Sequence, residues 1–255
     1  SFSHSIIKKM DIYKKAHYYD CINDFDFDVD FFIDFARKQG GNVLELACGT
    51  GRLTIPLAKE AIKITGIDNA KEMLQLAEEK ATKLGLNVDF HLKNLLDFDL
   101  KQKFKFIFCV HNSFSHIDGF ENVKQFFKNV SNHLEDDGRF ILQVFNPDFF
   151  FFTRDPNDKF PLKTFKDPFS DKMISLLENS FYDEESQINY LKWFFQKEGE
   201  EEVIENWSQR VYYPKELEYI VQFCGFEIVD KFGDFDFTPF ENDSETQILV
   251  LKKKK

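Results

Sequence analysis

Apolar positions along this chain fall at two spacings that take turns. Residues 28–39, DVDFFIDFARKQ, repeat at the helical period and stop at Gly40-Gly41. The short apolar run NVLELA follows as a strand, and GRLTIPLAKEA returns to helical spacing with Pro56 near its start, where proline is tolerated. IKITGID predicts a second strand, NAKEMLQLAEEKATKLG a helix closed by Gly85, and NVDFHL and KFIFCVH two further strands. ENVKQFFKNVSNHL is helical, and GRFILQVFNP is a strand that stops at Pro147. Strands alternating with helices at this spacing predict a mainly parallel sheet covered on both faces, with right-handed crossovers.

The pattern then changes. KMISLLENSFY, SQINYLKWFFQ and EVIENWSQRVYY are extended, aromatic-rich runs separated by the polar segments DEE and KEGEE. Short polar loops suit antiparallel hairpins, so residues 149–213 predict an inserted three-stranded antiparallel subdomain. A helix at PKELEYIVQFCG and strands at FEIVDKFG and TQILVLKK resume the α/β pattern. The expected organisation is N-terminal helices over 1–40, an α/β core over 41–148 and 214–255, and the insertion between them.

Charge narrows the partners. The formal net charge is −11, which repels a phosphate backbone and disfavours nucleic acid. The one basic run, Lys252 to Lys255, is expected to be a solvated tail. Four cysteines without a C-x-x-C pair give no disulfide framework, and neither they nor the six histidines give a metal-ligand pattern. No apolar run has the length of a membrane span, and SFSHS lacks the features of a secretory leader, so a cytoplasmic setting is expected. The 33 phenylalanines are not by themselves read as functional.

The chemistry centres on VLELACGTGRLTIPLA, Val43 to Ala58. A strand running through glycines into a helix aims backbone N–H groups at a ligand. A dinucleotide loop wants Gly or Ala where this chain has Thr54, and no Gly-Lys-Ser/Thr makes a phosphate-binding P-loop. Asp68, at the end of the second strand, is placed to accept hydrogen bonds from both hydroxyls of a ribose, or to cap the following helix, as is Asn69.

LELACGTGR, GIDNAKEML and DDGRFILQVFNP, in this order and spacing, resemble the class I S-adenosylmethionine-dependent methyltransferases over most of the chain. The resemblance implies a doubly wound, Rossmann-like sheet with S-adenosylmethionine as cofactor and S-adenosylhomocysteine as product. It implies that Glu45 and the backbone from Ala47 to Gly49 face the methionine part, that Gly51 permits close approach, and that Asp68 holds the ribose with Asn69 and Met73 beside the adenosine. The adenine-reading acid of the family is replaced here by Asn94, followed by Leu95, with Asp97 three residues on. Either polar residue is the candidate. The fourth strand opens Phe104-Lys105-Phe106, not with the family's common Phe-Asp.

Methyl transfer is an in-line displacement that needs alignment above all, and a base only where the acceptor must lose a proton. HNSFSHI follows the fourth strand at the expected acceptor side, making His111 the first candidate and His116 the second for a base or orienting group. Tyr18 and Tyr19, in HYYD, are candidates for covering the cofactor or the acceptor, with simple packing the alternative. Arg52 stands at a helix start, where the dipole disfavours it and a specific anionic partner would explain it. The inserted strands suit either an acceptor-covering lid or a homodimer interface in an otherwise monomeric protein. The expected activity is methyl transfer to nitrogen or oxygen of a small molecule, as in relatives acting on amines and amino sugars. The alternatives are a cofactor-binding regulator without turnover and an RNA methyltransferase, which lacks support from charge or from an Asn-Pro-Pro-Tyr motif beyond Asn146-Pro147.

Overall fold

Four consecutive buried residues, Val43–Leu46 (β1), form an interior strand of a seven-stranded sheet. A computed structural model describes residues 11–255, apart from the side chains of Asp11, Phe150 and Phe151. The first ten residues, and with them the reading of SFSHS and the start of the expected N-terminal helical segment, lie outside the described residues. β1 is flanked by β2 (Ile64–Asp68) and β4 (Phe104–Cys109), both parallel to it; β3 (Asp89–Leu92) lies beyond β2. On the other side follow β5 (Leu134–Phe145), parallel to β4, and β11 (Thr246–Lys253), the reversed strand between β5 and β10 (Phe226–Phe232). The chain winds outward from β1 to β3 and then returns to β4 beside β1. That reversal puts the switch point of the sheet at the carboxyl ends of β1 and β4, where open α/β sheets hold their ligands.

Period-2 alternation sends side chains to two apolar layers. Phe106 and Phe108 of β4, Ile141 of β5 and Val250 of β11 join Phe31, Phe32 and Phe35 of α2 (Val29–Gln39) and Leu57 of α3 (Thr54–Lys59). Ile107 of β4, Phe140 and Leu142 of β5 and Leu251 of β11 face the opposite layer. There they meet Val123, Phe126, Phe127 and Val130 of α5 (Phe120–His133) and Leu217 of α7 (Pro214–Phe223). Phenylalanines such as Phe27, Phe149, Phe169 and Phe223 stay exposed, whereas ten fully buried ones fill these layers. Burial of each such ring contributes about 2–3 kcal/mol. α2 stops where expected: Gly40 takes φ 66° and its N–H donates to the Ala36 carbonyl at 2.8 Å.

This larger unit comprises residues 26–147 and 212–255, and a smaller unit comprises residues up to 25 together with 148–211. The expected 1–40 segment is therefore divided. α2 belongs with the sheet because its phenylalanines pack there, whereas α1 (Ala16–Ile22) belongs to the smaller unit. After the short helix α6 (Phe149–Phe152), the smaller unit forms an antiparallel sheet of four strands, not three. β6 (Phe160–Lys166) pairs with β7 (Met173–Asp183), which is followed by β8 (Ile188–Lys197) and β9 (Val203–Arg210). β6 carries Pro161 and a register shift between Pro161 and Lys163, which only an edge strand accommodates, and this hid it from the periodic pattern. The lysine run is not a free tail: Lys252 and Lys253 end β11, with ion pairs to Glu227 at 3.3 Å and Asp136 at 2.6 Å. No described helix is long and apolar enough to cross a membrane.

Candidate active site

Between β1 and α3 the backbone turns left-handed three times, at Ala47 (φ 56°), Gly49 (φ 54°) and Gly51 (φ 79°). Gly51 is also tightly enclosed: a Cβ there would stand 3.0 Å from Ile55 Cδ1. Gly66 of β2 allows the loop to lie close, since a Cβ at that position would stand 2.8 Å from Cys48 Sγ. The loop is fastened to β2 by Asp68, whose Oδ2 accepts from the Gly49 N–H at 2.8 Å while Oδ1 accepts from the Ala70 N–H at 2.8 Å. Burial raises the Asp68 pKa, and these backbone donors pull it back. The bond from Ala70 makes a tight turn in front of α4 (Lys71–Lys83), whose N-cap is Ala70 without a side-chain capping bond, and leaves the Asp68 carboxylate at the strand tip. Lys80 of α4 adds a hydrogen bond to the Thr50 carbonyl at 3.2 Å.

Glu45 lies one pleat before the end of β1 and is buried. Its described partner is the Thr54 hydroxyl at the first position of α3, which donates to Oε2. Burial drives its pKa up to about 8, against the opposing pull of the Thr54 hydroxyl and the Arg52 charge. Arg52 has the anionic partner its position demanded: its Nη1 and Nη2 donate to the two carboxylate oxygens of buried Asp28 at 2.6 and 2.7 Å. A two-pronged pair of this kind fixes the guanidinium in orientation as well as in charge.

Across the switch point, His111 and Asn112 follow β4 with φ 55° and 59°. Neither is glycine, and such backbone costs about 1–2 kcal/mol per residue. Asn112 is held there by the Phe145 N–H, which donates to its Oδ1 at 2.7 Å, tying the tip of β4 to the end of β5. Burial lowers the His111 pKa to about 4, with the Arg52 charge adding to the effect. His116 is exposed, on the turn of 3-10 helix Ser113–His116.

Glu45, Ala47, Gly49, Gly51, Arg52, Asp68 and His111 all belong to the strand ends and loops at the switch point, and Asn69 is exposed next to Asp68. Met73 is fully buried in α4. Asn94 accepts the Leu96 N–H at 2.8 Å, and the Leu95 carbonyl accepts from Asn129 at 3.1 Å. Asp97 lines a surface hollow of about 510 Å³ with Phe98, Asp99, Lys101 and His133. Tyr18 and Tyr19 are in the smaller unit. The Tyr18 hydroxyl donates to Asp167 at 3.2 Å, and its ring packs near Phe165 and Phe169. Tyr19 packs near Tyr13 at 6.0 Å between ring centroids. Among the described residues no group of three His, Cys, Asp or Glu side chains is placed to hold a metal ion.

A family model described as a methyltransferase domain matches residues 37–213, more than half of the chain. The chain belongs to the class I S-adenosylmethionine-dependent methyltransferases. This methyltransferase is 29% identical over 231 residues to YqeM of Bacillus subtilis (strain 168), whose methyltransferase name is provisional, and the match covers 88% of each chain. An S-adenosylmethionine-dependent methyltransferase from Clostridium acetobutylicum ATCC 824 aligns at TM-score 0.76 and 25% identity, covering 95% of this chain and 98% of that one. The sugar N-methyltransferase KedS8 from Streptoalloteichus sp ATCC 53650 shares the fold at TM-score 0.73 and 15% identity, over 100% of this chain and 98% of its own.

Three residues of the candidate site carry little signal of their role in the sequence. Thr54 was noted only as a misfit to a dinucleotide loop, yet its hydroxyl is what holds Glu45. Asp28 was one acid among several in DVDFFID, and nothing in the spacing pairs it with Arg52, 24 residues away. Asn112 sat unmarked beside His111; its readable signal was an asparagine just past an apolar strand, where left-handed backbone favours that residue.

Proposed function

We propose that this methyltransferase binds S-adenosylmethionine in the loop between β1 and α3 and moves its methyl group to a nitrogen or oxygen of a small molecule. The observation that carries the reading is the pair of buried carboxylates at adjacent strand ends, Glu45 and Asp68, on either side of a left-handed glycine turn. Both fit the cofactor chemically. Each Asp68 oxygen accepts one backbone N–H and keeps acceptor capacity for a ribose hydroxyl. Glu45 holds its proton unusually tightly, the state of a carboxylate that a cation such as an amino-acid ammonium would relieve. Arg52, oriented by Asp28, is assigned to the tail's carboxylate. Asn69 and Met73 are assigned to the adenosine side, with Asn94, Leu95 and Asp97 as the adenine-edge candidates.

Bound S-adenosylmethionine supplies an electrophilic methyl group that already carries its leaving group. The chain's own task is then to orient the acceptor, exclude water and leave the acceptor's lone pair unprotonated. His111 is assigned to the acceptor side, with His116 and Tyr19 as further candidates. The sugar-directed activity named for KedS8 and the acidic net charge support a small acceptor over a nucleic acid.

The test is calorimetry with S-adenosylmethionine, followed by a mass-shift screen over amines, phenols, carboxylates and RNA. Micromolar binding that Asp68→Ala weakens at least tenfold, with transfer to a small molecule, is expected. Unchanged affinity in Asp68→Ala removes the ribose assignment. Binding without transfer to any class replaces the enzyme by a cofactor-binding regulator.

A further inference from the structure

One buried carboxyl of the larger unit stands where a central strand ordinarily carries an apolar side chain. Strand alternation places Glu45 on the same side of the sheet as Val43, and register sets it beside Phe108 of β4 and Gly66 of β2. That side carries the apolar layer under α2 and α3, to which Val43 and Phe108 belong. Glu45 is 4% exposed, and its described donors belong to one residue, Thr54, through the hydroxyl and the backbone N–H. Among the described residues no lysine, arginine or histidine lies within ion-pair distance of it.

The titratable groups around Glu45 do not balance a charge on it. Arg52 acts on it at a distance, but both guanidinium Nη atoms donate to Asp28, whose own charge works the other way. Cys109 and His111 approach from the end of β4, and Cys48 and Asp68 from the loop and from β2. Burial pushes both thiols up, so they are neutral at pH 7, and His111, lowered to about 4, is neutral there as well. Asp68 is engaged with the N–H groups of Gly49 and Ala70. An ionised Glu45 would be a buried charge held by a single residue, and such a group keeps its proton instead, here to about pH 8.

We propose that Glu45 selects the cofactor by charge: it releases its proton to solvent and takes the ammonium of the amino-acid tail in exchange. The inference rests on the cofactor reading above and names how that same site is regulated. One proton balances the step. A neutral carboxyl and the ligand's ammonium become a carboxylate–ammonium pair, H⁺ passes to the buffer, and no bond of the ligand is made or broken. The pair favours the ionised carboxylate, so binding lowers the pKa of Glu45 from its free-site value. Affinity for a tailed ligand therefore rises with pH until the free carboxyl has itself ionised, at about pH 8. A nucleoside without the tail releases no proton and has no such dependence.

The full-length protein is titrated by calorimetry with S-adenosylhomocysteine, which has the tail but no methyl group to transfer, and with 5′-methylthioadenosine, which lacks the tail. Each titration is run in phosphate and in Tris, whose different ionisation heats convert released protons into a measured difference. At pH 7 a carboxyl that titrates near 8 is expected to release about 0.9 proton per S-adenosylhomocysteine, and 5′-methylthioadenosine none. Between pH 6 and 7 the Kd of S-adenosylhomocysteine is expected to fall about tenfold and that of 5′-methylthioadenosine to stay within about twofold. Glu45→Gln keeps an acceptor for the Thr54 hydroxyl and is expected to abolish the release and flatten the pH dependence. S-adenosylhomocysteine binding without proton release, equal release with 5′-methylthioadenosine, or release retained in Glu45→Gln overturns this inference and leaves the cofactor reading standing. No binding of S-adenosylhomocysteine or S-adenosylmethionine at any pH overturns both.

Discussion

Glu45 is a carboxyl group that the fold keeps protonated, and this has a measurable sign. Its ordinary pKa of 4.5 rises to about 8 on burial, so the native state holds a proton that the unfolded chain releases. Its stability contribution is complete below pH 4.5 and is lost as the pH climbs through about 8. Glu45→Gln keeps an acceptor for the Thr54 hydroxyl and removes the titration. Thermal melts across pH are expected to match the parent near pH 5 and to lie above it beyond pH 8, by a few kcal/mol at about 1.4 kcal/mol per pKa unit. Parallel curves for the two proteins would contradict the burial argument. His111 has the opposite shift, down to about 4, which leaves its imidazole neutral and a weak base at neutral pH. It is therefore expected to orient the acceptor by a hydrogen bond. His111→Gln should lower kcat by about tenfold or less, short of the 10²–10⁴ of a lost general base. The kcat/KM profile should keep its shape between about pH 6 and 9, and loss of a titrating limb there would make His111 the base.

Elements place these residues, and their legibility follows from how local each signal is. β1, β2 and β4 could be read because each is a short apolar run bounded by polar or glycine positions, and Glu45 and Asp68 stood out against those runs. α2 and α5 were legible from their 3.6-residue periodicity. β6 was not, because Pro161 and a register shift break the alternation at the sheet edge. The partners of Arg52 and Glu45 were unreadable for a different reason: pairing of Asp28 with Arg52 and Thr54 with Glu45 exists only once α2 and α3 have packed on the sheet. The link from β4 to β5 through Asn112 is likewise tertiary. Asn112→Ala removes the acceptor for the Phe145 N–H and puts an alanine into left-handed backbone, which asparagine tolerates better. A loss of about 1–3 kcal/mol in urea unfolding is expected, with weaker acceptor turnover because His111 precedes the same turn. Asn112→Gly relieves the backbone but not the hydrogen bond, so it should recover only part of the stability. Full recovery would show that the side-chain link contributes nothing.

At the scale of the molecule, the chain builds two units with separate apolar clusters, and the cofactor candidates lie in the larger one, apart from Tyr18. A ligand that binds the native form of one unit stabilises that unit by mass action, by about 2.7 kcal/mol at a concentration one hundred times its Kd. Tryptophan emission watches the smaller unit only, because Trp193 and Trp207 are both there. Helical circular dichroism is weighted to the larger unit, which carries α2, α4, α5 and α7. Thermal unfolding followed by both signals, with and without saturating S-adenosylmethionine, separates the two responses. The helical transition is expected to move up by several degrees and the tryptophan transition by less. If both signals move together, the two units unfold as one cooperative body, and the ligand's effect belongs to both. If the cofactor moves the tryptophan transition alone, the assignment of S-adenosylmethionine to the β1–α3 loop fails, because Glu45 and Asp68 lie in the other unit.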